Sequence, residues 1–368
     1  MLSFIVTFMD ENKNANVYIA TMANSSQPRK RSRKGAPGIL DVASRAGVSA
    51  ASVSRCFNDP KVVRPDTRKR IEEAAEALGY IRDRVAGSLH NRMSGSVGLV
   101  VPTIDDAIFS ELIEAFSAEL HLHDRTMLIA SHNYNLDREV TIIRSLLERR
   151  IDAVAIVGRD HSRVALEMLK VREIPVVSLW NASGAGEIPC VGTDNRQGAA
   201  HVTQHLLDLG HRDFALIFPD TQNNDRARDR KQGVIKTLSA TGVTVRSAWD
   251  INCPYDGAIA KSIALDMFAD ERPTAIICGN DVIAHGVLHA AAKAKISVPD
   301  DLSVAGIGDF KSSAVIEPGL TTVRLPARRI GQIAARSLID RSVSGDRDKV
   351  NDVLIPAELI IRASTGPV

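Results

Sequence analysis

The sequence predicts a small all-α N-terminal unit followed by an α/β core of two doubly wound parallel-sheet lobes. Between Ile39 and Leu78, apolar residues recur at intervals of three and four, which is the spacing of one helix face. Beyond Ser96, short β-branched runs alternate with amphipathic helical stretches, the order of right-handed βαβ units. A chain of 368 residues that is 44% hydrophobic is long enough for several domains with cores of their own.

Three helices are predicted in the N-terminal unit. The first ends at Gly47, and Ser49 is a good N-cap for the second, so a three-residue turn joins them. The third begins near Pro65 and ends at Gly79, residue types that favour those two ends. Two helices joined in this way predict either a helix-turn-helix, whose second helix enters the DNA major groove, or an ordinary surface hairpin with solvated Ser and Arg side chains.

In the helix-turn-helix interpretation, side chains at the start of the second helix face base edges. The expected DNA-contacting residues of this helix are Ser49, Ala50, Ala51, Ser52, Ser54, Arg55 and Asn58. Small residues let the helix lie deep in the groove, and the guanidinium fork of Arg55 can pair with guanine O6 and N7.

Positive charge is concentrated near the N-terminus, although the formal net charge is only +2. The residues that carry it are Arg29, Lys30, Arg31, Arg33, Lys34, Arg45, Arg55, Lys61, Arg64, Arg68, Lys69 and Arg70. This part of the chain is expected to meet a polyanion. Residues 1–37 show no helical or strand period and predict a disordered basic arm. The sequence leaves open whether translation starts at Met1 or at Met22.

The core is predicted to contain parallel strands with helices between them. The predicted strands are Val97–Val101, Met127–Ala130, Ala153–Val157, Val176–Leu179, Phe214–Phe218, Ala275–Cys278 and Val304–Ile307. The predicted helices include Phe109–Leu120, Glu139–Arg149, Gly198–Leu209, Arg226–Ala240 and Val282–Ala292. Two such sheets in tandem leave a cleft between them, which is a common place for a small ligand.

The run from Ile39 to Asn58, ILDVASRAGVSAASVSRCFN, closely resembles the N-terminal signature of the lactose-repressor family of bacterial transcriptional regulators. The stretch GYIRDRVAGSLH from Gly79 to His90 resembles the hinge that follows the signature there. The likeness extends over almost all of residues 39–362, including Asp208–His211, Asn280–Asp281 and Val298–Gly306. The core pattern is similar to the gluconate-repressor branch of the family.

The resemblance implies a homodimer that binds operator DNA and a small-molecule effector. It implies a helix-turn-helix domain at 38–82, a hinge helix and linker at 83–96, and a two-lobed core like that of periplasmic binding proteins at 97–364. In this core, the first lobe consists of 97–194 plus 324–354, and the second lobe consists of 195–323 plus 355–364.

The hinge contributes two further expected DNA contacts, Arg84 and Leu89. Leu89 falls where the family inserts a leucine into the minor groove, and the alternative is a leucine in a helix core. Relatives often have Pro-Asn where this chain has Arg82 and Asp83. Asp83 can still cap the hinge helix, with Arg82 and Arg84 offsetting its charge near the phosphates.

Family positions between the lobes imply the effector contacts. The matching residues are Ile108, Phe109, Trp180, Arg230, Asn280 and Asp309, with Tyr255 as a further candidate. The alternative for Phe109 and Trp180 is a core aromatic, and for Arg230 it is the solvated face of a charged helix. Many sugar- and purine-binding relatives carry an aspartate at the position of Gly308. Its absence beside a retained Arg230 favours an anionic effector such as a sugar acid.

Several function classes lack support in the sequence. It contains no G-x-G-x-x-G after a strand, no G-x-x-x-x-G-K-[ST], no G-x-S-x-G and no His/Glu metal motif, so we expect no enzyme, cofactor or metal site. Four scattered cysteines predict a reduced, cytoplasmic protein.

The alternative function is a transport solute-binding protein with the same core fold. That function needs an export signal, which the short apolar Met1–Met9 does not provide, and has no use for the basic N-terminal unit.

Overall fold

The structure, a computed structural model, describes residues 36–82, 93–105, 107–182, 187–344 and 352–368. The chain forms two compact units, Met1–Asp83 and Arg84–Val368. Most of the predicted arm and hinge, including Arg84 and Leu89, lies outside the described residues. No helix among the described residues has both the length and the apolarity that crossing a membrane requires.

The N-terminal unit consists of α1 (Ile39–Ala46), α2 (Ala50–Asn58) and α3 (Pro65–Leu78). Gly47 and Gly79 end α1 and α3 in the left-handed conformation, with φ of 65° and 62°, which glycine adopts without a Cβ clash. The Ser49 hydroxyl accepts a hydrogen bond from the Ser52 N–H at 3.1 Å. The three-helix prediction and these end signals are confirmed. The helices enclose a small core of Val42, Ala43, Ala46, Val53, Cys56, Ile71, Ala74 and Ala75.

The second unit contains two six-stranded sheets. The first consists of β1 (Ser96–Val101), β2 (Thr126–Ser131), β3 (Ala153–Val157), β4 (Val176–Asn181), β5 (Cys190–Thr193) and β11 (Val353–Leu354). The second consists of β6 (Phe214–Phe218), β7 (Asp250–Asn252), β8 (Ala275–Cys278), β9 (Ser303–Gly308), β10 (Thr321–Arg324) and β12 (Glu358–Ile360). The strand orders are β11-β5-β4-β3-β1-β2 and β12-β10-β9-β8-β6-β7. All pairs are parallel except β10 with β12.

Helices cover both sheets, as the predicted fold class requires. They are α4 (Ala107–His121), α5 (Leu136–Glu148), α6 (Arg163–Val171), α7 (Asn195–Asp208), α8 (Asp225–Ala240), α9 (Gly257–Asp270), α10 (Asp281–Ala294) and α11 (Ala327–Ser344). Side-chain oxygens cap the starts of four successive helices, α7 to α10, at Asp194, Asn224, Asp256 and Asn280. The predicted core helices and strands all form, with their ends shifted by a few residues.

The centre of the first sheet, at β1 and β3, is buried on both faces. Leu99 of β1 packs in one apolar cluster with Phe116 of α4. The next residue, Val100, packs in another cluster with Ile143 of α5. Successive residues of a strand point to opposite faces, so a strand covered by helices on both sides is apolar at every position. This explains why β1 appears in the sequence as a continuous apolar run.

The chain passes between the two sheets three times within the described residues. It leaves β5 for α7, leaves β10 for α11, and leaves β11 for β12. Eight elements of this unit were not predicted from the sequence: β5, β7, β10, β11, β12, α6, α9 and α11. Strands such as β7 and β11, of three and two residues, are too short for a period of two to be recognised.

Gly286 lets α9 and α10 pack closely. A Cβ at this position would lie 2.4 Å from the carbonyl oxygen of Gly257 and 2.7 Å from the Cβ of Ala260. Neither atom can rotate away, because both are fixed to the backbone of α9. The contact therefore requires a residue without a side chain.

We expect Gly286→Ala to lower the free energy of unfolding. Overpacking costs about 1–3 kcal/mol, which exceeds the gain in helix propensity of about 1 kcal/mol. Urea denaturation followed by circular dichroism measures the change. The matched control is Gly257→Ala on the facing helix, where the nearest atom to the new Cβ lies at an ordinary 3.4 Å. Equal midpoints for the two variants would contradict the packing argument.

Candidate functional site

The second helix of the N-terminal unit presents most of the residues expected to read DNA. Ser49, Ala51 and Arg55 are exposed, and Ser52 and Ser54 are half-buried. The start of α2 thus presents small side chains, and the cation of Arg55 lies one turn further along. This surface fits the shape and chemistry that a major groove requires.

Two of the expected DNA-contacting residues, Ala50 and Asn58, also have contacts within this unit. Ala50 is half-buried and packs against the core of the three helices rather than pointing fully outward. Asn58 is engaged within the unit, because its amide donates to the Ser54 hydroxyl at 3.1 Å and its carbonyl accepts from Arg82. Arg82 also donates to the Phe57 carbonyl, so its guanidinium ties the end of α2 instead of facing a phosphate.

A small enclosed pocket lies between the ends of the two sheets. Its lining residues are Ile108, Phe109, Tyr134, Trp180, Arg226, Arg230, Tyr255 and Asn280. Five of the six residues expected to contact an effector are therefore brought together, along with Tyr255. The volume is about 10 Å³, close to that of a single water position, so a larger ligand enters only when the lobes part.

Aromatic rings form two walls of the pocket. Phe109 and Trp180 meet edge to face with ring centroids 5.3 Å apart, and Tyr134 and Tyr255 stack at 6.3 Å. Trp180 is fully buried, so it belongs to the core and also lines the pocket. Its backbone has a φ of 85°, a left-handed conformation that costs free energy for a bulky residue. Gly192, its partner on β5, leaves room for this backbone, since a Cβ there would lie 2.6 Å from the Trp180 carbonyl carbon.

Three buried N–H donors of the pocket have no hydrogen-bond partner among the residues that the structure describes. They are the indole Nε1 of Trp180, Nη2 of Arg226 and the amide Nδ2 of Asn280. All three side chains are at least nine-tenths buried. A buried donor without an acceptor costs about 1–3 kcal/mol. The pocket is therefore suited to a ligand that supplies acceptor oxygens.

The two arginines of the pocket come from the first two turns of α8. Arg230 donates from Nε to the side-chain Oδ1 of Asn195 at 2.8 Å and from Nη1 to the backbone carbonyl of Gly279 at 3.0 Å. It is 3% exposed, so the interpretation of a solvated helix face is wrong at this position. Burial opposes the charge on Arg226, but the Asp225 carboxylate, 2.7 Å from Nη1, raises the pKa of the guanidinium and keeps it charged.

Two lining residues, Tyr134 and Arg226, were not predicted from the sequence. Arg226 precedes Arg230 by one helical turn and shares its face, a spacing of four that could have indicated a common site. Tyr134 lies in a left-handed turn after β2, with a φ of 58°, and no periodicity marks it.

Asp309 does not line this pocket. It lines a larger cavity of about 890 Å³, which shares Ile108 with the pocket, and there its carboxylate accepts from Arg324 at 2.7 Å and from Arg362 at 2.5 Å. These two cations neutralise it, which gives the carboxylate a structural role.

Gly308 also lines the larger cavity rather than the pocket, and a Cβ there would lie 2.5 Å from the Phe310 ring. The glycine is required by this close contact and by a φ of 154°. The absence of an aspartate at this position therefore follows from local packing. It gives no direct information about the charge of the pocket.

A cluster of buried titratable groups lies beside the pocket. The Glu139 carboxylate accepts from the Ser162 N–H at 2.7 Å and lies 2.8 Å from His161 Nδ1. His132 is 3% exposed, and its Nδ1 has no hydrogen-bond partner within the described ranges. Burial lowers the pKa of His132 to about 4, so this imidazole is neutral in the folded protein at neutral pH.

Comparison with known proteins matches both units. The family of bacterial regulatory proteins named lacI matches residues 38–83, and the periplasmic binding protein-like domain matches residues 203–365. Catabolite control protein A of Priestia megaterium is 29% identical over 329 residues, which cover 89% of this chain and 98% of that protein. The HTH-type transcriptional repressor PurR of Proteus mirabilis is 29% identical over 331 residues, which cover 89% of this chain and 96% of that protein.

A solved structure has a similar fold. The lac repressor dimer bound to operator and the anti-inducer ONPF has a TM-score of 0.79 and 25% identity, and the match covers 90% of this chain and 100% of that one. The chain belongs to the lacI family of bacterial regulatory proteins. It is a DNA-binding transcription regulator with a small-molecule effector site, which confirms the predicted fold class and regulatory function. The comparisons lend no support to a transport solute-binding protein.

The pKa of His132 predicts a pH-dependent contribution to stability. An unfolded histidine takes up a proton near pH 6.5, whereas His132 in the folded protein does so only near pH 4. Its contribution is therefore complete above about pH 6.5 and is lost as the pH falls toward 4. The slope is at most about 1.4 kcal/mol per pH unit.

We expect the advantage of the wild type over His132→Gln in free energy of unfolding to shrink by about 1–2 kcal/mol between about pH 7 and pH 5. Urea titrations at the two pH values measure it. His121→Gln, at an exposed site on α4, is the control. An advantage that stays the same at both pH values would show that His132 does not stay neutral in the fold.

Proposed function

We propose that this chain is a homodimeric repressor whose affinity for a pseudo-palindromic operator depends on an effector bound between the two lobes of its core. The observation that supports the effector site most directly is the enclosed pocket with three donors that have no partner in the described part of the chain. A two-fold dimer presents two copies of α2 and so requires two related half-sites. The domain division that we propose is an arm at 1–37, a helix-turn-helix domain at 38–82, a hinge at 83–96 and lobes within 97–364.

The proposal assigns no catalytic activity and no cofactor to the chain. Catabolite control protein A and PurR are a control protein and a transcriptional repressor by name, and the matches to them span almost their whole lengths. Operator DNA of a bacterial regulator lies in the cytoplasm, which is the location that we propose for this protein.

For the effector, we propose a small sugar acid. The eight described lining residues include two arginines and no carboxylate, so their charge favours an anion. The donors of Trp180, Arg226 and Asn280, which lack partners within the described ranges, require acceptor oxygens, and a carboxylate with neighbouring hydroxyl groups supplies them. The rings of Phe109 and Trp180 offer an apolar surface for the C–H face of a sugar. These observations on the pocket, and not the identity of residue 308, support an anionic effector, because Gly308 lies outside the pocket.

For DNA binding, we expect Arg55→Ala to weaken affinity for a selected operator by about 1–3 kcal/mol and to relax the preference at one base pair in each half-site. The operator is first obtained by selection from random duplex DNA, and affinities are then measured by fluorescence anisotropy. Arg68→Ala on α3 is the comparison, because a cation outside α2 acts on all sequences alike.

Affinity should also fall steeply as salt rises from roughly 50 to 200 mM, because phosphate contacts release counterions. An affinity that does not change with salt, or an Arg55→Ala variant with unaltered sequence preference, would contradict the assignment of α2 as the reading helix.

For the effector, we expect gluconate to bind at least about tenfold more tightly than glucose, and Trp180→Phe to weaken gluconate binding by about tenfold. The substitution keeps a ring in the wall but removes the Nε1 donor, and a hydrogen bond to a charged group contributes about 1.5–3 kcal/mol. Titration calorimetry measures both affinities. The matched control is Trp249→Phe, because Trp249 is the second of the two tryptophans and does not line the pocket.

Two results would overturn this part of the proposal. One is a neutral sugar that binds more tightly than every sugar acid tested. The other is a Trp180→Phe variant that keeps wild-type affinity for the acid.

A further inference from the structure

Outside the ligand pocket, the beginning of α8 in the second lobe is tied to the loop that follows β3 in the first lobe. Arg228 donates from Nη1 to Oδ2 of Asp160 at 2.9 Å and from Nη2 to Oδ1 at 2.8 Å. A planar guanidinium facing a carboxylate in this two-bond geometry forms a strong and directional ion pair. Nη1 of Arg228 also donates to the Thr221 carbonyl at 3.1 Å, which holds the side chain toward its partner.

Behind this outer pair, buried contacts join the same elements. The Asp225 carboxylate accepts from the Arg159 N–H at 3.0 Å and from the Asn181 amide at 2.8 Å. The same amide donates to Asp229 at 2.7 Å. Gly158 allows the approach, because a Cβ there would lie 2.3 Å from Nη1 of Arg226. The ends of β3 and β4 thus supply hydrogen-bond donors for two buried carboxylates of α8.

The outer pair differs from the buried contacts in its access to water. The side chains of Arg228 and Asp160 are 38% and 25% exposed, and neither residue lines the pocket. When the lobes part, water can solvate these two ions at once. The pair can therefore open reversibly, and its contribution to closure is that of a well-aligned surface ion pair.

From this geometry we infer that Arg228 and Asp160 form an interlobe clasp that holds the core closed without an effector. Closure with an empty pocket leaves the donors of Trp180, Arg226 and Asn280 unpartnered among the described residues, which favours opening. The clasp opposes this tendency, together with the buried hydrogen bonds to Asp225 and Asp229. An effector then shifts the equilibrium between the open and closed arrangements, to the extent that it prefers one of them. The clasp acts whatever the effector is, so this inference goes beyond the proposed function.

Distances between spin labels on the two lobes test the clasp in the full-length protein without any effector. The labels are attached at Glu167→Cys on α6 and Lys236→Cys on α8, both exposed positions. The four native cysteines are buried, which directs labelling to the new sites. Distances between the labels are measured by pulsed electron paramagnetic resonance. Labelled protein is diluted into unlabelled protein, so that most measured distances lie within one chain.

The wild type should show mainly one short distance. Arg228→Ala and Asp160→Asn should each move the population about fivefold toward a longer distance. The exchanged pair Asp160→Arg with Arg228→Asp should restore the short distance, since it recreates the attraction with reversed charges. The control is Arg246→Ala, which removes ion pairs to Asp213 and Glu271 within the second lobe and should leave the distances unchanged.

Arg228→Lys keeps the charge but loses the two-bond geometry, and it replaces Arg228→Ala if that variant fails to fold. The inference is overturned if the single variants keep the wild-type distances. It is also overturned if the exchanged pair stays as open as the single variants, or if the wild type already shows the longer distance. None of these results bears on whether gluconate binds, so the clasp and the effector proposal fail separately.

Discussion

The burial of charge in the first two turns of α8 is the constraint on which the arrangement of the core depends. Asp225, Arg226, Asp229 and Arg230 are each no more than 5% exposed. Buried charges are tolerated only when other groups satisfy them. Asn181 of the first lobe supplies hydrogen bonds to both carboxylates. The position of one lobe against the other is therefore set by the geometry of these hydrogen bonds as well as by apolar packing.

The pocket and the outer contacts act in opposite directions on this arrangement. The closed pocket contains N–H groups, including those of Trp180 and Asn280, that lack acceptors among the described residues. The bonds from Arg228 to Asp160 favour the same closed arrangement. A regulator can respond to a small molecule only if its states differ by a few kcal/mol. The ion pair and the buried hydrogen bonds to Asp225 and Asp229 together oppose the cost of the unpartnered donors, and a ligand with acceptor oxygens removes that cost.

Much of the fold could be predicted because its signals are local. The apolar spacing from Ile39 to Leu78, the left-handed glycines at 47 and 79, and the Ser49 cap each depend on residues only a few positions apart. The short strands could not be predicted in this way. The two residues of β11 become a strand only because β5, far away in the sequence, offers a paired edge. Likewise, Ala50 could not be recognised as half-buried before α1 and α3 were packed around it.

The sequence by itself determined the helix faces, the apolar strand runs, the capping residues and the membership of a DNA-binding family, because these depend on neighbouring residues or on a continuous signature. Only the tertiary structure decided which charges are buried. Arg226 lies in a run of charged residues that looks solvated until the first lobe covers it. Asp309 stands apart from the pocket because the left-handed turn at its backbone directs its carboxylate toward Arg324 and Arg362. The physical reason is the same for both residues: the environment of a side chain is set by segments that meet in space, and these segments lie far apart in the sequence.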